Sequence, residues 1–193
     1  GTAEAYGSNP VPFREEMALD PVSPYSFSKA AATAFCRMAS VSLQASVRVL
    51  RLFLVYGPGQ SRRRFLPQLI NAALSGDRFR MTAGKQSREY TYIDDAVEGF
   101  LAAAAAGPGR GEVYNLCSGE EITLNRLVEA VEAAKGRKIK RDPEPLPYRP
   151  REIPRFVGDN TLIERDLKWR PTVDLKEGLS RTIAWYRGIK KED

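Results

Sequence analysis

The sequence predicts an α/β chain in which a parallel sheet with crossover helices is joined to a smaller α/β lobe. Three observations carry this expectation. Residues 47–55 are almost continuously apolar and end at Gly57-Pro58, the pattern of a strand buried on both faces. Strand-like and helix-like stretches then alternate along the chain, as they do when crossover helices link parallel strands. The chain has 193 residues, 42% of them hydrophobic, enough for one domain or one and a half with an ordinary core.

Taken in order, Gly1-Thr2 reads as the end of a strand with Thr2 at its C-terminal tip, the side of an open α/β sheet where ligands bind. A threonine there also serves simply to cap or turn the chain. Residues 8–24 are rich in proline and charge and read as a loop. A helix is expected over 25–43, the buried strand over 47–55, and a helix over 65–74 stopped by Gly76. Short strands are expected at 79–81 and 88–93, then a helix through Ala106 opened by Asp94 or Asp95. Residues 112–117 read as a strand, Thr123 as the cap of a helix through Lys135, and 138–140 as a short strand. Residues 143–154 hold five prolines and exclude regular structure. Helices over 161–167 and 175–187 close the chain around Trp169-Arg170-Pro171.

Composition narrows the function classes. No stretch is long and apolar enough for a membrane span, and no signal peptide is visible at Gly1, so a cytoplasmic protein without a membrane partner is expected. Two cysteines, Cys36 and Cys117, make no disulfide framework and read as reduced core thiols. With no histidine, a zinc site is not expected. The formal charge of +6 fits an anionic diphosphate ligand or a basic surface without a partner. The basic residues are scattered apart from Arg62-Arg63-Arg64 and Arg137-Lys138, and no nucleic-acid motif accompanies them, so no nucleic-acid partner is expected.

The stretch Ser23-Pro24-Tyr25-Ser26-Phe27-Ser28-Lys29 carries the chemistry. Tyr25 and Lys29 are four residues apart, which puts them on one face of a helix. A fixed ammonium stabilises a phenolate, and such a phenol exchanges protons during catalysis. Alone the pair is also common on solvated helix surfaces. Its neighbours change that reading: Thr2-Ala3-Glu4-Ala5-Tyr6-Gly7 before it, then Arg51-Leu52-Phe53-Leu54-Val55-Tyr56-Gly57-Pro58 and Arg88-Glu89-Tyr90-Thr91-Tyr92-Ile93-Asp94-Asp95 after it. In this order the segments resemble the extended short-chain dehydrogenase/reductase family acting on nucleotide sugars, from Gly1 to about Tyr186.

The resemblance implies the C-terminal part of a Rossmann-type parallel sheet, at 1–57 and 88–117, and a substrate-binding lobe, at 58–87 and 118–193. It implies a Thr2, Tyr25, Lys29 triad, with Thr2 holding the reacting sugar oxygen, Tyr25 moving its proton and Lys29 lowering the tyrosine pKa. Tyr25 and Lys29 would also face NAD or NADP, whose hydride exchanges with C4 of a nucleotide-diphosphate hexose. Arg88 lies where the family places an arginine against the diphosphate, to which its planar fork is suited; an ordinary surface arginine is the plainer alternative. Arg149 and Glu152 resemble the second arginine and the acidic residue of the lobe, with Arg151 a competing choice. Leu66-Pro67 resembles the pair that opens the helix over the nucleotide base, with core packing as the alternative. A homodimer is expected.

Two departures bear on the reaction. Ala3 stands where the family's dehydratases carry a proton-transferring residue, leaving Glu4 as the possible acid or base, so C4 epimerisation or keto reduction fits better than 4,6-dehydration. Leu54 stands where an asparagine usually contacts the sugar nucleotide, so that contact is lost or moved. The stretches 111–115 and 157–159 resemble the GDP-4-keto-6-deoxymannose reductase branch. No glycine-rich turn between a strand and a helix is present, so the chain reads as the C-terminal part of a longer enzyme and is expected to be inactive alone. The rival class is a non-catalytic remnant or one piece of a split enzyme.

Overall fold

The computed structural model describes residues 1–150 and 152–189. The sheet at its centre has two parallel strands, β1 (Arg48–Leu52) and β5 (Glu112–Leu116), paired from Arg48 opposite Glu112 to Leu52 opposite Leu116. Thr2 makes a parallel bridge to Leu52, so the start of the chain lies beside the end of β1. The expected strand over 47–55 is in fact two. Phe53 turns into an aromatic cluster, and the chain then changes partner: β2 (Val55–Tyr56) pairs in parallel with β4 (Thr91–Tyr92).

Likewise the expected strand over 88–93 divides. β3 (Ser87–Arg88) pairs antiparallel with β6 (Ile122–Thr123), while Thr91–Tyr92 joins β2. The break falls at Glu89, whose side chain turns into the interior. The expected strands at 79–81 and 138–140 reduce to one bridge between Phe79 and Arg141. A 3-10 turn over Ala3–Tyr6, not expected from sequence, follows Thr2.

The helices lie close to expectation. α1 (Pro24–Ser42) opens with a capping box: Ser23 Oγ accepts from Ser26 N and Ser26 Oγ accepts from Ser23 N, both at 3.0 Å. Pro24 in the first turn needs no backbone donor there. α2 (Phe65–Ser75) ends at Gly76, whose φ of 83° is left-handed and suits glycine. α4 (Leu124–Lys135) is capped by Thr123, whose hydroxyl accepts from Arg126 N at 3.2 Å. α5 (Thr161–Leu167) and α6 (Leu175–Ile189) complete the set.

α3 (Ile93–Ala105) departs from the expected cap. Tyr92 occupies the N-cap position without a side-chain bond. Asp95 instead is buried in the first turn, where it accepts from Thr172 N and Val173 N at 3.0 Å and from Thr172 Oγ1 at 2.8 Å. Its carboxylate therefore fixes α3 to the loop before α6.

Three apolar clusters form the interior. The largest joins α2, α4 and α6 through Leu69, Ile70, Leu127, Val131, Leu179 and Ile183. The second joins the β1–β5 sheet to α3, α5 and Trp169, so α5 packs with the sheet rather than with the larger helical cluster. The third gathers Tyr6, Phe13, Phe53, Phe156 and Cys117 behind the 3-10 turn. Among the described residues no helix is long and apolar enough to cross a membrane.

Candidate active site

Thr2 sits at the end of β1, 7% exposed. Its hydroxyl accepts a long bond of 3.4 Å from Glu4 N, which starts the 3-10 turn. Ala3 is fully buried, whereas Glu4 points out on the exposed side of the turn. The acidic side chain of the turn thus faces solvent while the alanine contributes to the core.

The turn is held from behind by a buried polar network. The Tyr6 hydroxyl donates to Asn115 Oδ1 and accepts from Arg51 Nη1, both at 2.7 Å. The Arg51 guanidinium lies 4.7 Å from the centre of the Tyr6 ring, a cation–π contact. Asn115 Nδ2 donates to Phe13 O at 2.9 Å and to Asp159 O at 3.3 Å, and Asn115 N donates to Glu15 Oε1 at 2.7 Å. Burial pushes the Tyr6 phenol up to about 12 despite the opposing pull of Arg51, so it stays protonated as the donor this network requires. Burial likewise raises Glu15, with the Asn115 N–H opposing it.

α1 carries the other two triad candidates and packs against both the turn and β1. The Lys29 Nζ lies 5.8 Å from the centre of the Tyr25 ring, so the spacing of four does bring the two together. Tyr25 is 51% exposed and Lys29 is also exposed. Lys29 and Gly1 line one cavity of about 470 Å³ between α1, β1 and α3, beside Arg48, Val49 and Leu50; Thr2 and Tyr25 are not among its lining residues.

The second group of candidates lies at the edge of β3. Arg88 and Glu152 form a half-buried ion pair through Arg88 Nη2 and Glu152 Oε1. Arg149 is exposed, and its carbonyl accepts from Glu152 N at 3.0 Å. Arg151 lies outside the described residues. Leu54 is half-buried and its carbonyl accepts from Thr91 N at 2.9 Å. Leu66 is buried in the helical cluster, and Pro67 beside it is buried as well.

Sequence reasoning passed over Tyr6, Arg51, Asn115 and Glu89. The signal for Arg51 was available: an arginine within an apolar strand demands buried partners. Glu89 has no solvent exposure; its Oε2 accepts from Gly158 N at 3.0 Å and Gly119 N at 3.2 Å, and its Oε1 has no partner among the described residues. Burial pushes it up to about 8, with the two backbone donors opposing. No group of residues among those described is arranged to hold a metal ion.

A model of the family described as GDP-mannose 4,6 dehydratase matches residues 1–182. A dTDP-glucose 4,6-dehydratase of Streptomyces griseus is 35% identical over 96% of the chain and 56% of its own length. A UDP-glucuronate 4-epimerase of Thermodesulfobacterium geofontis is 31% identical over 96% of the chain and 57% of its own length. The chain thus spans about half the length of the curated relatives it matches. Among solved structures, the Bacillus cereus UDP-glucuronic acid 4-epimerase in complex with UDP-glucuronic acid and NAD superposes with a TM-score of 0.90 at 26% identity, over 97% of this chain and 60% of that one. The fold class and the motif-based resemblance are therefore upheld. The chain belongs to the extended short-chain dehydrogenase/reductase family, in the group of nucleotide-sugar epimerases and 4,6-dehydratases that the GDP-mannose 4,6 dehydratase model describes.

Proposed function

We propose that this chain carries the proton-transfer and sugar-nucleotide residues of an NAD(P)-dependent enzyme that epimerises or reduces a nucleotide-diphosphate hexose at C4. The observation that carries this reading is the 3-10 turn: Ala3 is sealed in the core, so the turn offers a single carboxyl, Glu4, together with the Thr2 hydroxyl. Dehydration needs one group to take a proton and another to give one to the leaving water, and alanine does neither. Thr2 would hold the sugar oxygen by hydrogen bonding and orient it toward the tyrosine. Tyr25 would take or return the proton on that oxygen, and Lys29 would stabilise its phenolate.

The exposed Tyr25–Lys29 face of α1 fits the ribose and nicotinamide end of NAD or NADP. When bound, the dinucleotide supplies and accepts hydride. The chain's own part is to hold the sugar and move the proton. At the other end, Arg88 would bind the diphosphate with Arg149, Glu152 would accept from a hydroxyl, and the neighbourhood of Leu54 and Leu66 would border the nucleotide. The assembly would be a homodimer in the cytoplasm; the exposed apolar residues Phe27, Phe35, Met38 and Val41 on α1 support a self-association surface.

Calorimetric titration with UDP and dTDP tests the substrate assignment. Arg88→Ala is expected to weaken binding of the nucleotide that binds by about 1.5–3 kcal/mol, the range for a charged hydrogen bond; unchanged affinity would sink the assignment. Mass spectrometry of products formed from NDP-glucose with NAD addresses the reaction, and loss of one water would contradict epimerisation and reduction.

A further inference from the structure

The Arg88 guanidinium is already engaged in the free chain. Nη1 donates to Ser87 O at 2.6 Å and to Ile153 O at 2.9 Å, and Nη2 donates to Glu152 Oε1. Nε takes part in none of these bonds. The two side chains are 16% and 21% exposed, so the pair is neither a screened surface bridge nor a sealed one. By contrast, the Arg155–Glu121 pair nearby has its arginine 59% exposed.

Glu152 is held there by its backbone as well as its charge. Its amide donates to Arg149 O at 3.0 Å. Two residues on, the Pro154 carbonyl accepts from Ser87 N at 2.9 Å, next to Arg88 itself. The proline content of this stretch limits the backbone states open to it, which favours one placement of Glu152 over many. A carboxylate fixed in this way acts as a built-in ligand for the arginine.

We propose that Glu152 sets the anion selectivity of the Arg88 subsite by occupying the guanidinium until a phosphate displaces it. The proposal rests on the reading of Arg88 as the diphosphate residue and adds a competitor to it. Two anions on one half-buried guanidinium repel, so an entering anion must outbid a carboxylate already hydrogen-bonded there. Pyrophosphate, with several charged oxygens, satisfies Nε and the released Nη2 together, as bidentate phosphate–arginine contacts do. A monovalent anion offers no such exchange and is turned away. Displacement frees the Glu152 carboxylate beside the bound phosphate, available to a hydroxyl of the same ligand.

The test is calorimetric titration of inorganic pyrophosphate, chloride and UDP into the whole chain at constant ionic strength. Glu152→Gln keeps the shape and removes the charge. It is expected to bind pyrophosphate about tenfold more tightly than the wild type and to gain measurable competition by chloride. Glu152→Asp, whose shorter arm loosens the pair, is expected to give a smaller gain in the same direction and serves if the glutamine variant does not fold. Equal or weaker pyrophosphate binding in a folded variant overturns the exchange. Arg88→Ala separates the two ideas: unchanged UDP affinity in that variant removes the phosphate reading of Arg88, whereas weakened UDP binding without a gain in Glu152→Gln removes the exchange alone.

Discussion

The two sides of the candidate active site are built in opposite ways. Behind Thr2, the network of Tyr6, Arg51 and Asn115 is buried, with short hydrogen bonds linking the 3-10 turn to both strands of the sheet. Across from it, α1 presents Tyr25 at 51% exposure and Phe27, Phe35 and Val41 at 64%, 62% and 80%. The first side is fixed by the fold, and the second is a surface open to partners. Substitutions should therefore separate cleanly, with stability lost on one side and binding or association on the other.

The largest effect is expected from Asn115→Leu. The side chain accepts from the Tyr6 hydroxyl and donates to two carbonyls, and leucine removes all three bonds while leaving the partners buried. Phe13 O keeps its bond from Asp159 N, whereas the Tyr6 hydroxyl loses its acceptor; a buried group left unpaired costs about 1–3 kcal/mol, so a loss in that range is expected by denaturant unfolding. A loss below about 1 kcal/mol would show that the turn does not depend on the network.

Glu89 extends the same side and gives it a pH dependence. Its folded pKa, pushed up to about 8, stands above the ordinary 4.5 of the unfolded chain. Folding therefore takes up a proton between these values. Stability from this group is fully present below about pH 4.5 and is lost as pH rises through about 8, at up to about 1.4 kcal/mol per pH unit. Glu15, also raised by burial, works in the same sense. The lowered carboxyls, such as Asp159 held down by Thr161 and Arg14, contribute stability that is lost only as pH falls through their folded values. Glu89→Gln should flatten the decline between about pH 5 and 8 in thermal unfolding, and an unaltered slope would assign that decline elsewhere.

How much of this was legible depended on whether the cause was local. Helix α1 was readable because Ser23, Pro24 and the alanines act within one turn. α5 was readable over its whole length for the same reason. Strand boundaries were not: residues 47–55 are apolar apart from Arg48 and Arg51, and only the change of partner from β5 to β4 breaks them at Phe53-Leu54. Asp95 reads locally as a helix cap, yet its acceptors are taken by Thr172 and Val173, far along the chain. In the site, the Tyr25–Lys29 spacing and the place of Thr2 at a strand end were visible, whereas the 3-10 turn after Thr2 and the pairing of Arg88 with Glu152 across a long separation required the fold. Buried polar partners such as Tyr6 and Asn115 leave no mark on hydrophobic patterning.

The smallest effect on the folded chain, and the one that most sharpens the comparison, is expected on α1. Phe35 is 62% exposed, so Phe35→Ser removes little buried area from the chain itself, and its stability at low concentration should change by no more than about 0.5 kcal/mol. Its neighbours one helical turn to either side, Ala31 and Met38, continue the same stripe. If that stripe is where two copies meet, the substitution should lower the association constant measured by sedimentation equilibrium while leaving dilute-solution unfolding in place. The size of that drop follows the area a partner covers, roughly 25 cal/mol for each Å² of apolar surface. A wild-type chain that sediments as a monomer at every concentration would show that the stripe does not join two copies, with the buried side of the site unaffected by that outcome.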